Sequence, residues 1–488
     1  MNDGLIKQFG IKAVLQNKKE EIQKVYLNDQ RPWILGYSGG KDSTATLQLV
    51  YNAIKELPKE QRIKKIYVVS SDTMVENPLI LNYLLNNLNS INKAAKHDEL
   101  EDIISSHLVT PKEVDTFWTL LIGKGYPSPR QKFRWCTARL KINPIDAFID
   151  EQTTKHDEVV VVLGVRRAES QSRQQSIDAK TIEGKILKMH TSNPKAYVYA
   201  PIEDFSLSDI WTYLNHPQIS NPWNGDNKAL LSLYRDASDE SECPIQRDVD
   251  APSCGQSRFG CWICTVVTQD KSLTGFIQNG YEELQPLLKY RNWLYSIREN
   301  EKYRQRWRMN GSMYFLNTSD NKKKQGLGPF NLWGRQEMLR ELLQTEIDYN
   351  KMLVDRPASV FDLPKQEYVH LIQPAELRLI REHWVKDGDW EDSLPRIYKE
   401  VTGQDLPVPN LQEPLIRSDE LHLLESLCEE HDLPSNVIKK LLQVEDKFLD
   451  IKLRKGLMKD IDSILRQDWV HEEILQELMG DENQDETE

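Results

Sequence analysis

The stretch of sequence that decides the fold is an apolar run followed at once by a turn rich in glycine and hydroxyl groups. It reads Trp33-Ile34-Leu35-Gly36-Tyr37-Ser38-Gly39-Gly40-Lys41-Asp42-Ser43-Thr44. The apolar run predicts a buried strand, and the residues from Ser43 to about Glu56 predict a helix. Two glycines between them allow the backbone to take positive φ and to approach a ligand closely. The N–H groups that start the helix favour a polyphosphate, and Lys41 adds a positive charge.

This turn differs from the P-loop of many ATPases and kinases. A P-loop has four residues between its first glycine and a Gly-Lys pair, and a serine or threonine follows the lysine. Here Asp42 follows Lys41, and Gly36 is one position out of register. The alternative interpretation is an ordinary strand-to-helix turn with an accidental lysine. Because strand, glycines, lysine and helix start coincide, a phosphate-binding loop is favoured. Further donors are the hydroxyls of Ser38, Ser43 and Thr44.

The composition is that of a globular cytoplasmic protein with several domains. The 488 residues are 39% hydrophobic, carry a net charge of −12 and contain no apolar run near the ~20 residues of a membrane span. Strands that alternate with helices predict an α/β fold, with a Rossmann-like parallel sheet and then a mainly helical region. The predicted parts are a nucleotide-binding domain with an N-terminal helix, a cysteine-rich loop, a helical domain and an acidic disordered tail, over residues 1–240, 241–275, 276–480 and 481–488.

The patterns along the chain also predict individual elements. Buried strands are expected over residues 66–70 and 159–163, each bounded by polar residues. The other predicted elements are a leading helix over 5–28, a hairpin-like insertion over 176–198, a long functional loop over 215–260 and helices beyond about 275, interrupted by a loop at 317–331.

Polar residues follow the predicted strands at the edge where parallel sheets bind ligands. Asp72 follows the second strand, and Arg166 and Arg167 follow the third. Asp42 and Asp72 are candidate Mg²⁺ ligands, because Mg²⁺ prefers phosphate oxygens and carboxylates. Asp72 has two other interpretations, as a contact to the sugar of a nucleotide or as a helix cap. The arginines either neutralise phosphate charge or form a solvated pair at the strand end.

Six cysteines in a long chain favour metal ligation or redox chemistry over a disulfide framework. Cys254, Cys261 and Cys264 lie close together, and Cys136 lies far upstream. Four thiols match a 4Fe-4S cluster or zinc, and uncoordinated thiols are the third alternative. One remote ligand beside a nucleotide site favours the iron–sulfur cluster. Cys243 competes with Cys254 as the fourth ligand.

Several segments resemble one group of enzymes, in the right order along the chain. The Ser-Gly-Gly-x-Asp-Ser loop resembles the pyrophosphate loop of the ATP pyrophosphatase superfamily. Residues 134–141, 164–170, 201–213 and 260–265 resemble segments of the adenylylsulfate and phosphoadenylylsulfate reductases. The resemblance implies that ATP is attacked at its α-phosphate with pyrophosphate as leaving group, and that Arg139 belongs to the nucleotide site.

Two departures separate this chain from those reductases. Its final residues lack their Glu-Cys-Gly-Leu-His motif, and Cys136-Thr137 stands where cluster-type reductases have an adjacent Cys-Cys pair. The whole pattern most resembles the DndC family of DNA phosphorothioation sulfurtransferases. That resemblance implies ATP and Mg²⁺ as cofactors, a cysteine desulfurase as sulfur donor and other phosphorothioation proteins as partners. The alternatives are a tRNA thiolation enzyme, a sulfonucleotide reductase and a nucleotide-binding, cluster-bearing scaffold.

A basic and aromatic stretch over residues 289–308 is a candidate DNA-binding surface. Cations suit phosphates, and aromatic rings between them can stack on bases. The alternative interpretation is a helix with a solvated charged face and its aromatic residues in the core. The predicted DNA contacts are Lys302, Arg304, Arg306 and Arg308.

Overall fold

The fold is visible over most of the chain in a computed structural model. The described residues are 4–169, 186–190, 192–237, 259–317, 323–356, 361, 368–408, 418–431, 433–448, 454 and 456–466. The predicted cluster ligand Cys254, its competitor Cys243 and the predicted acidic tail lie outside these ranges. Within them, no helix is both long and apolar enough to cross a membrane.

A six-stranded sheet forms the centre of the N-terminal half. Its strands are β1 Trp33–Gly36, β2 Ile66–Ser71, β3 Ile104–Val109, β4 Val159–Val162, β5 Lys188–Met189 and β6 Ala196–Tyr199. The order across the sheet is β3-β2-β1-β4-β6-β5. The pairs β3–β2, β2–β1, β1–β4 and β4–β6 are parallel, whereas β5 pairs with β6 in the antiparallel direction. The predicted α/β fold with a Rossmann-like parallel sheet is therefore confirmed.

Helices precede, connect and cover these strands. They are α1 Leu5–Phe9, α2 Ile11–Leu27, α3 Lys41–Lys55, α4 Pro78–His97, α5 Asn143–His156, α6 Leu207–Leu214 and α7 Lys228–Asp236. The predicted leading helix is broken at Gly10, whose φ of 79° ends α1 and starts α2. The β1 residues Trp33 and Leu35 are fully buried, as are Val50 and Ile54 on α3. All four side chains belong to one core cluster, which packs α3 against β1.

The second half of the chain is mainly helical, as predicted. Its helices are α8 Lys271–Gln278, α9 Gln285–Ile297, α10 Leu332–Asp355, α11 Pro374–Lys386, α12 Ser393–Thr402, α13 Ser418–Glu430, α14 Ser435–Lys447 and α15 Leu457–Leu465. A short hairpin, β7 Phe315–Asn317 and β8 Lys323–Gln325, interrupts them.

Four sequence predictions differ from this architecture. The strand β3 was not predicted, because its sequence Ile-Ser-Ser-His-Leu-Val is largely polar and lies at one edge of the sheet. The predicted loop over 215–260 contains α7, and the predicted loop over 317–331 contains β8. The basic stretch over 289–308 is helical only as far as Ile297 and continues as a 3₁₀ turn and an extended segment.

Candidate functional site

The turn between β1 and α3 has the geometry of an anion-binding loop. Gly39 takes a φ of +72°, and Gly40 is the N-cap of α3. The Ser43 hydroxyl donates to the Gly40 carbonyl at 3.0 Å and accepts from the Ser38 amide at 3.2 Å. These contacts hold the loop closed from within, while the first amides of α3 point out of the helix end. Such an end favours negatively charged ligands.

The Asp42 carboxylate connects this loop to the end of β4. Arg166 donates from Nε to Asp42 Oδ1 at 2.6 Å, and its side chain is only 5% exposed. Lys41 Nζ lies 3.2 Å from Asp42 Oδ2. Both carboxylate oxygens are therefore engaged by cations, and Asp42 positions Lys41 and Arg166 at the same helix end.

Gly164 allows β4 to approach the loop this closely. A Cβ at this position would lie 2.8 Å from the Asp42 carbonyl oxygen and 2.9 Å from Thr46 Oγ1. No side chain fits between these atoms without moving backbone. Gly164, the second residue after β4, thus sets the position of Arg166 relative to α3.

Tyr234 on α7 is a loop contact that the sequence analysis missed. Its hydroxyl accepts from the Lys41 amide at 3.2 Å, and the Lys41 ammonium lies 5.3 Å from its ring centroid. The ring packs on Phe259 at 4.5 Å between centroids. The helical spacing of Leu230, Leu233 and Tyr234 was the available signal, but it lay within the predicted loop region.

The other predicted nucleotide ligands occupy separate positions. Arg167 is 39% exposed and donates to Glu203, whereas Arg139 is 44% exposed and donates to Asp115 at 3.0 Å. Asp72 follows β2 at the carboxyl edge of the sheet and accepts from the Met74 amide at 2.7 Å. Burial raises the pKa of Asp72. Its carboxylate forms a local turn and does not cap α4, whose cap is Asn77.

Three of the predicted thiol ligands share one neighbourhood. Burial raises the pKa of the Cys136 thiol, and the nearby Cys264 thiol raises it further. Burial also raises the pKa of Cys261, as do the Glu76 carboxylate and Cys264. Partly buried thiols near one another suit a thiolate-binding metal centre, because a bound cation offsets the cost of ionising them. Within the described ranges, however, no group of three or more His, Cys, Asp or Glu side chains is placed to hold a metal ion.

A polar network connects Cys261 to the end of β2. Thr73 Oγ1 lies 3.3 Å from Cys261 Sγ and donates to Glu76 Oε1 at 3.1 Å. Lys141 Nζ lies 3.1 Å from the same carboxylate oxygen. Burial alone would lower the pKa of Lys141, but Glu76 and the thiols of Cys261 and Cys136 outweigh it and raise the pKa. A protonated lysine therefore stands beside the thiols, although the sequence analysis did not select it.

Arginines of the helical region fix the backbone around Cys264. Arg291 is fully buried and donates to the carbonyls of Cys264 at 2.9 Å and Thr268 at 2.8 Å. Arg298 donates to the Thr265 carbonyl at 2.6 Å, and the Thr265 hydroxyl donates to the Pro129 carbonyl at 2.7 Å. The cysteine-bearing loop is thus held between α9 and the segment that leads to Cys136.

The predicted DNA contacts divide into two groups. Arg304 is buried and donates to the carbonyls of Gly328 and Leu327, and burial lowers its pKa to about 10. Arg304 therefore stabilises this loop through its bonds to backbone carbonyls. Arg306 and Arg308 are exposed, and Lys302 lies over the Trp333 ring at 4.5 Å. For these three residues, DNA contact stays a prediction.

Sequence comparison relates the N-terminal half of the chain to a known domain family. Residues 32–266, just under half of the chain, match the Phosphoadenosine phosphosulfate reductase domain family. This part of the chain is thus PAPS reductase-like. An uncharacterized protein of Methanocaldococcus jannaschii is 26% identical over 215 residues, which are 44% of this chain and 36% of the relative. The match therefore spans just over a third of that protein.

The solved structures that resemble this chain are less similar to it in sequence than the relative from Methanocaldococcus jannaschii. PAPS reductase from Candida auris, in its phosphate complex, has a TM-score of 0.28 and 12% identity, over 46% of this chain and 92% of that one. The U34-tRNA thiolase NcsA from Methanococcus maripaludis, with its 4Fe-4S cluster, has a TM-score of 0.28 and 13% identity, over 59% and 81%. At this level of similarity neither structure says anything about the substrate of this chain.

Proposed function

We propose that this chain is an ATP-dependent sulfurtransferase in the phosphorothioate modification of the DNA backbone. The observation that carries the proposal is the loop before α3. There Gly39 takes positive φ, and Lys41 and Arg166 lie at the positive end of the helix, oriented by Asp42. Amides and two cations at one helix end favour a polyphosphate, and they stabilise charge that develops when pyrophosphate leaves.

In the proposed reaction, a phosphate oxygen of the DNA attacks the α-phosphorus of ATP, and pyrophosphate departs. The DNA phosphate then carries AMP, which is a far better leaving group than oxide. Sulfide, released from a persulfide by a thiol that ends in a disulfide, attacks the DNA phosphorus, and AMP leaves with the oxygen. Lys41, Arg166 and Arg167 neutralise the phosphates. Because both oxygens of Asp42 are engaged by cations, Asp72 is the carboxylate that would hold a Mg²⁺ ion, which would offset the negative charge of the phosphates.

The sulfur arrives, in this proposal, from a cysteine desulfurase that acts with other phosphorothioation proteins. Cys136, Cys261 and Cys264 supply three thiolates of a 4Fe-4S cluster, and Cys254 or its competitor Cys243 supplies the fourth. The proximity of the Cys261 and Cys136 thiols to Lys141, and of the Cys264 thiol to both of them, supports this ligand set. Anaerobically purified protein should be brown with a broad visible absorbance, whereas a colourless zinc protein would contradict the iron assignment.

The decisive experiment for ATP cleavage is Lys41→Ala. We expect loss of pyrophosphate release in the presence of DNA and partner proteins, because charge on the leaving group is no longer neutralised. The fold and the visible absorbance should not change. The matched control is Lys55→Ala, at the other end of the same helix and about 21 Å away by helical rise. Lys55 pairs with Asp98 at the protein surface, so release should persist.

Other outcomes separate this proposal from its alternatives. Products of ADP and orthophosphate would contradict cleavage at the α-phosphate. ATP that binds without turnover, with all partners present, would indicate a scaffold. Sulfur incorporated into RNA instead of DNA would indicate a tRNA thiolation enzyme.

A further inference from the structure

The helical half of the molecule contains a cavity of about 770 Å³ with strongly basic walls. Separate segments of the chain form these walls, including the extended stretch after the 3₁₀ turn, the start of α10, the end of α11 and one face of α14. The basic lining residues are Lys124, Arg304, Arg306, Arg308, Arg335, Lys386, Lys439 and Lys440. Among the described residues that line the cavity, Asp387 is the only carboxylate.

Asp387 cannot neutralise all of these cations, because its carboxylate already forms an ion pair with one of them. It accepts from Arg335 at 2.7 Å, and Arg304 donates to backbone carbonyls. Lys439 pairs with Glu425 on α13. Eight basic side chains and one carboxylate thus line the wall, in a chain whose net charge is −12. Like charges brought together by folding repel one another, so a site of this kind favours an anionic ligand.

Arg335 supplies a second observation that points to a ligand. Its side chain is only 2% exposed, and it donates to the Gly123 carbonyl as well as to Asp387. Its Nε has no hydrogen-bond partner among the described residues. An unsatisfied donor on a buried cation is costly, so the positive charge of Arg335 is only partly compensated by its carboxylate and carbonyl partners.

The wall next to Arg304 is rigid. A Cβ on Gly328 would lie 1.7 Å from the Trp307 carbonyl oxygen, so only glycine permits this approach of the two backbones. The Gln305 amide donates to the Pro329 carbonyl at 2.7 Å, and the Arg308 guanidinium lies 4.1 Å from the Tyr314 ring centroid. The charges are thus held on an ordered scaffold.

We propose that this cavity binds the phosphodiester backbone of a nucleic-acid strand, with Trp307 placed to stack on a base. The volume exceeds what a single phosphate needs and lies in the range of ligand pockets. An aromatic ring among cations is typical of sites for single strands. The choice of a nucleic acid over another polyphosphate rests on the proposed function; the anion site itself does not.

The position of the cavity agrees with this role. The Phe330 amide on its wall donates to the Gly125 carbonyl at 2.7 Å. Gly125 directly follows the lining residue Lys124 and begins the segment that leads to Cys136. Trp135 donates to the Pro127 carbonyl at 2.9 Å within that segment. The cavity wall is therefore joined by one backbone hydrogen bond to the start of the segment that leads to the proposed cluster ligand Cys136.

The test measures binding of fluorescein-labelled single-stranded DNA, duplex DNA and RNA to the full chain by anisotropy over a range of salt concentrations. Two charge-removing double variants come from different segments. They are Arg306→Gln with Arg308→Gln, and Lys386→Gln with Lys440→Gln. The control is Lys93→Gln with Lys96→Gln, two exposed lysines of α4. Thermal unfolding and nucleotide binding confirm that each variant is folded.

Both cavity variants should weaken binding about tenfold and lower the salt slope by about 1 to 2, whereas the control should bind like the wild type. Unchanged binding by the double variant Lys386→Gln with Lys440→Gln would contradict binding in the cavity. Any nucleic-acid binding would then be attributed to a surface patch on residues 302–308 alone. Preference for RNA over DNA would support the cavity and contradict the proposed function. Lys41→Ala should bind all three probes normally, so failure of ATP cleavage does not affect this result.

Discussion

The phosphate-binding loop and the basic cavity both gather positive charge, but they are built in opposite ways. In the loop, seven consecutive residues supply the glycines, the lysine and the hydroxyls, and one arginine arrives from β4. In the cavity, the charges come from segments that are far apart in sequence. The loop can therefore be identified from the sequence as a motif, whereas the residues of the cavity come together only when the helices pack.

In both regions, arginines that are close in sequence differ in burial, and so they differ in whether they contact the protein itself or solvent. Arg166 is buried on Asp42, whereas the next residue, Arg167, is partly exposed beside Glu203. Arg304 is buried on carbonyls, whereas Arg306 is exposed at the cavity. A basic residue in the sequence thus predicts charge but does not tell whether that charge serves the scaffold or a ligand.

The largest expected effect on stability comes from Asp42→Ala, which changes the phosphate-binding loop and leaves the basic cavity intact. It leaves Arg166 buried without its carboxylate, which typically costs about 3–5 kcal/mol of unfolding free energy. Urea denaturation measures the change. Glu151→Ala is the control, because it breaks only the exposed pair with Lys155 and should cost less than about 1 kcal/mol. Equal losses for the two variants would contradict a structural role for the Asp42–Arg166 pair.

A smaller and more local effect is expected for Gly164→Ala. The new methyl group would meet the Asp42 carbonyl, so the loop must shift, at a cost of about 1–3 kcal/mol. ATP affinity should fall, while nucleic-acid binding in the cavity stays unchanged. Gly36→Ala is the matched control, because its Cβ would make only ordinary contacts with Leu163 and Val162. Weaker nucleic-acid binding by Gly164→Ala would contradict the independence of the two regions.

The third effect appears only at mildly basic pH and concerns a buried carboxylate at the start of α11. Burial raises the pKa of Glu376 on α11 to about 7, above its ordinary 4.5. Between these values the folded state binds more protons than the unfolded state, so stability falls as the pH rises. Glu376→Gln keeps an acceptor for the Gln373 amide and should stabilise the protein by about 1–3 kcal/mol near pH 8, with no gain near pH 4.

Denaturation at several pH values checks this prediction. The control is Glu382→Gln, a partly exposed carboxylate of the same helix that pairs with Arg378. It should not change the pH dependence. A wild-type stability that does not fall between mildly acidic and mildly basic pH would contradict the raised pKa.

The sequence predicted the parts of the fold that depend on local patterns. The apolar runs of β1, β2 and β4 were found because buried parallel strands are continuous in hydrophobicity. The strand β3 was missed because half of its residues are polar, and α7 was missed because it lies between turn-forming residues. In the site, the glycine loop was identified from its motif. Tyr234 and Lys141 were not, because their roles depend on contacts with distant segments.

Tyr234 connects the phosphate-binding loop to α7, although it belongs to none of the sequence motifs. Its hydroxyl holds the Lys41 amide, and its ring rests on Phe259. These two aromatic residues flank the part of the chain that carries Cys243 and Cys254. Loss of the Tyr234 side chain would therefore remove two contacts together, the hydrogen bond of α7 to the phosphate-binding loop and the packing of α7 on Phe259.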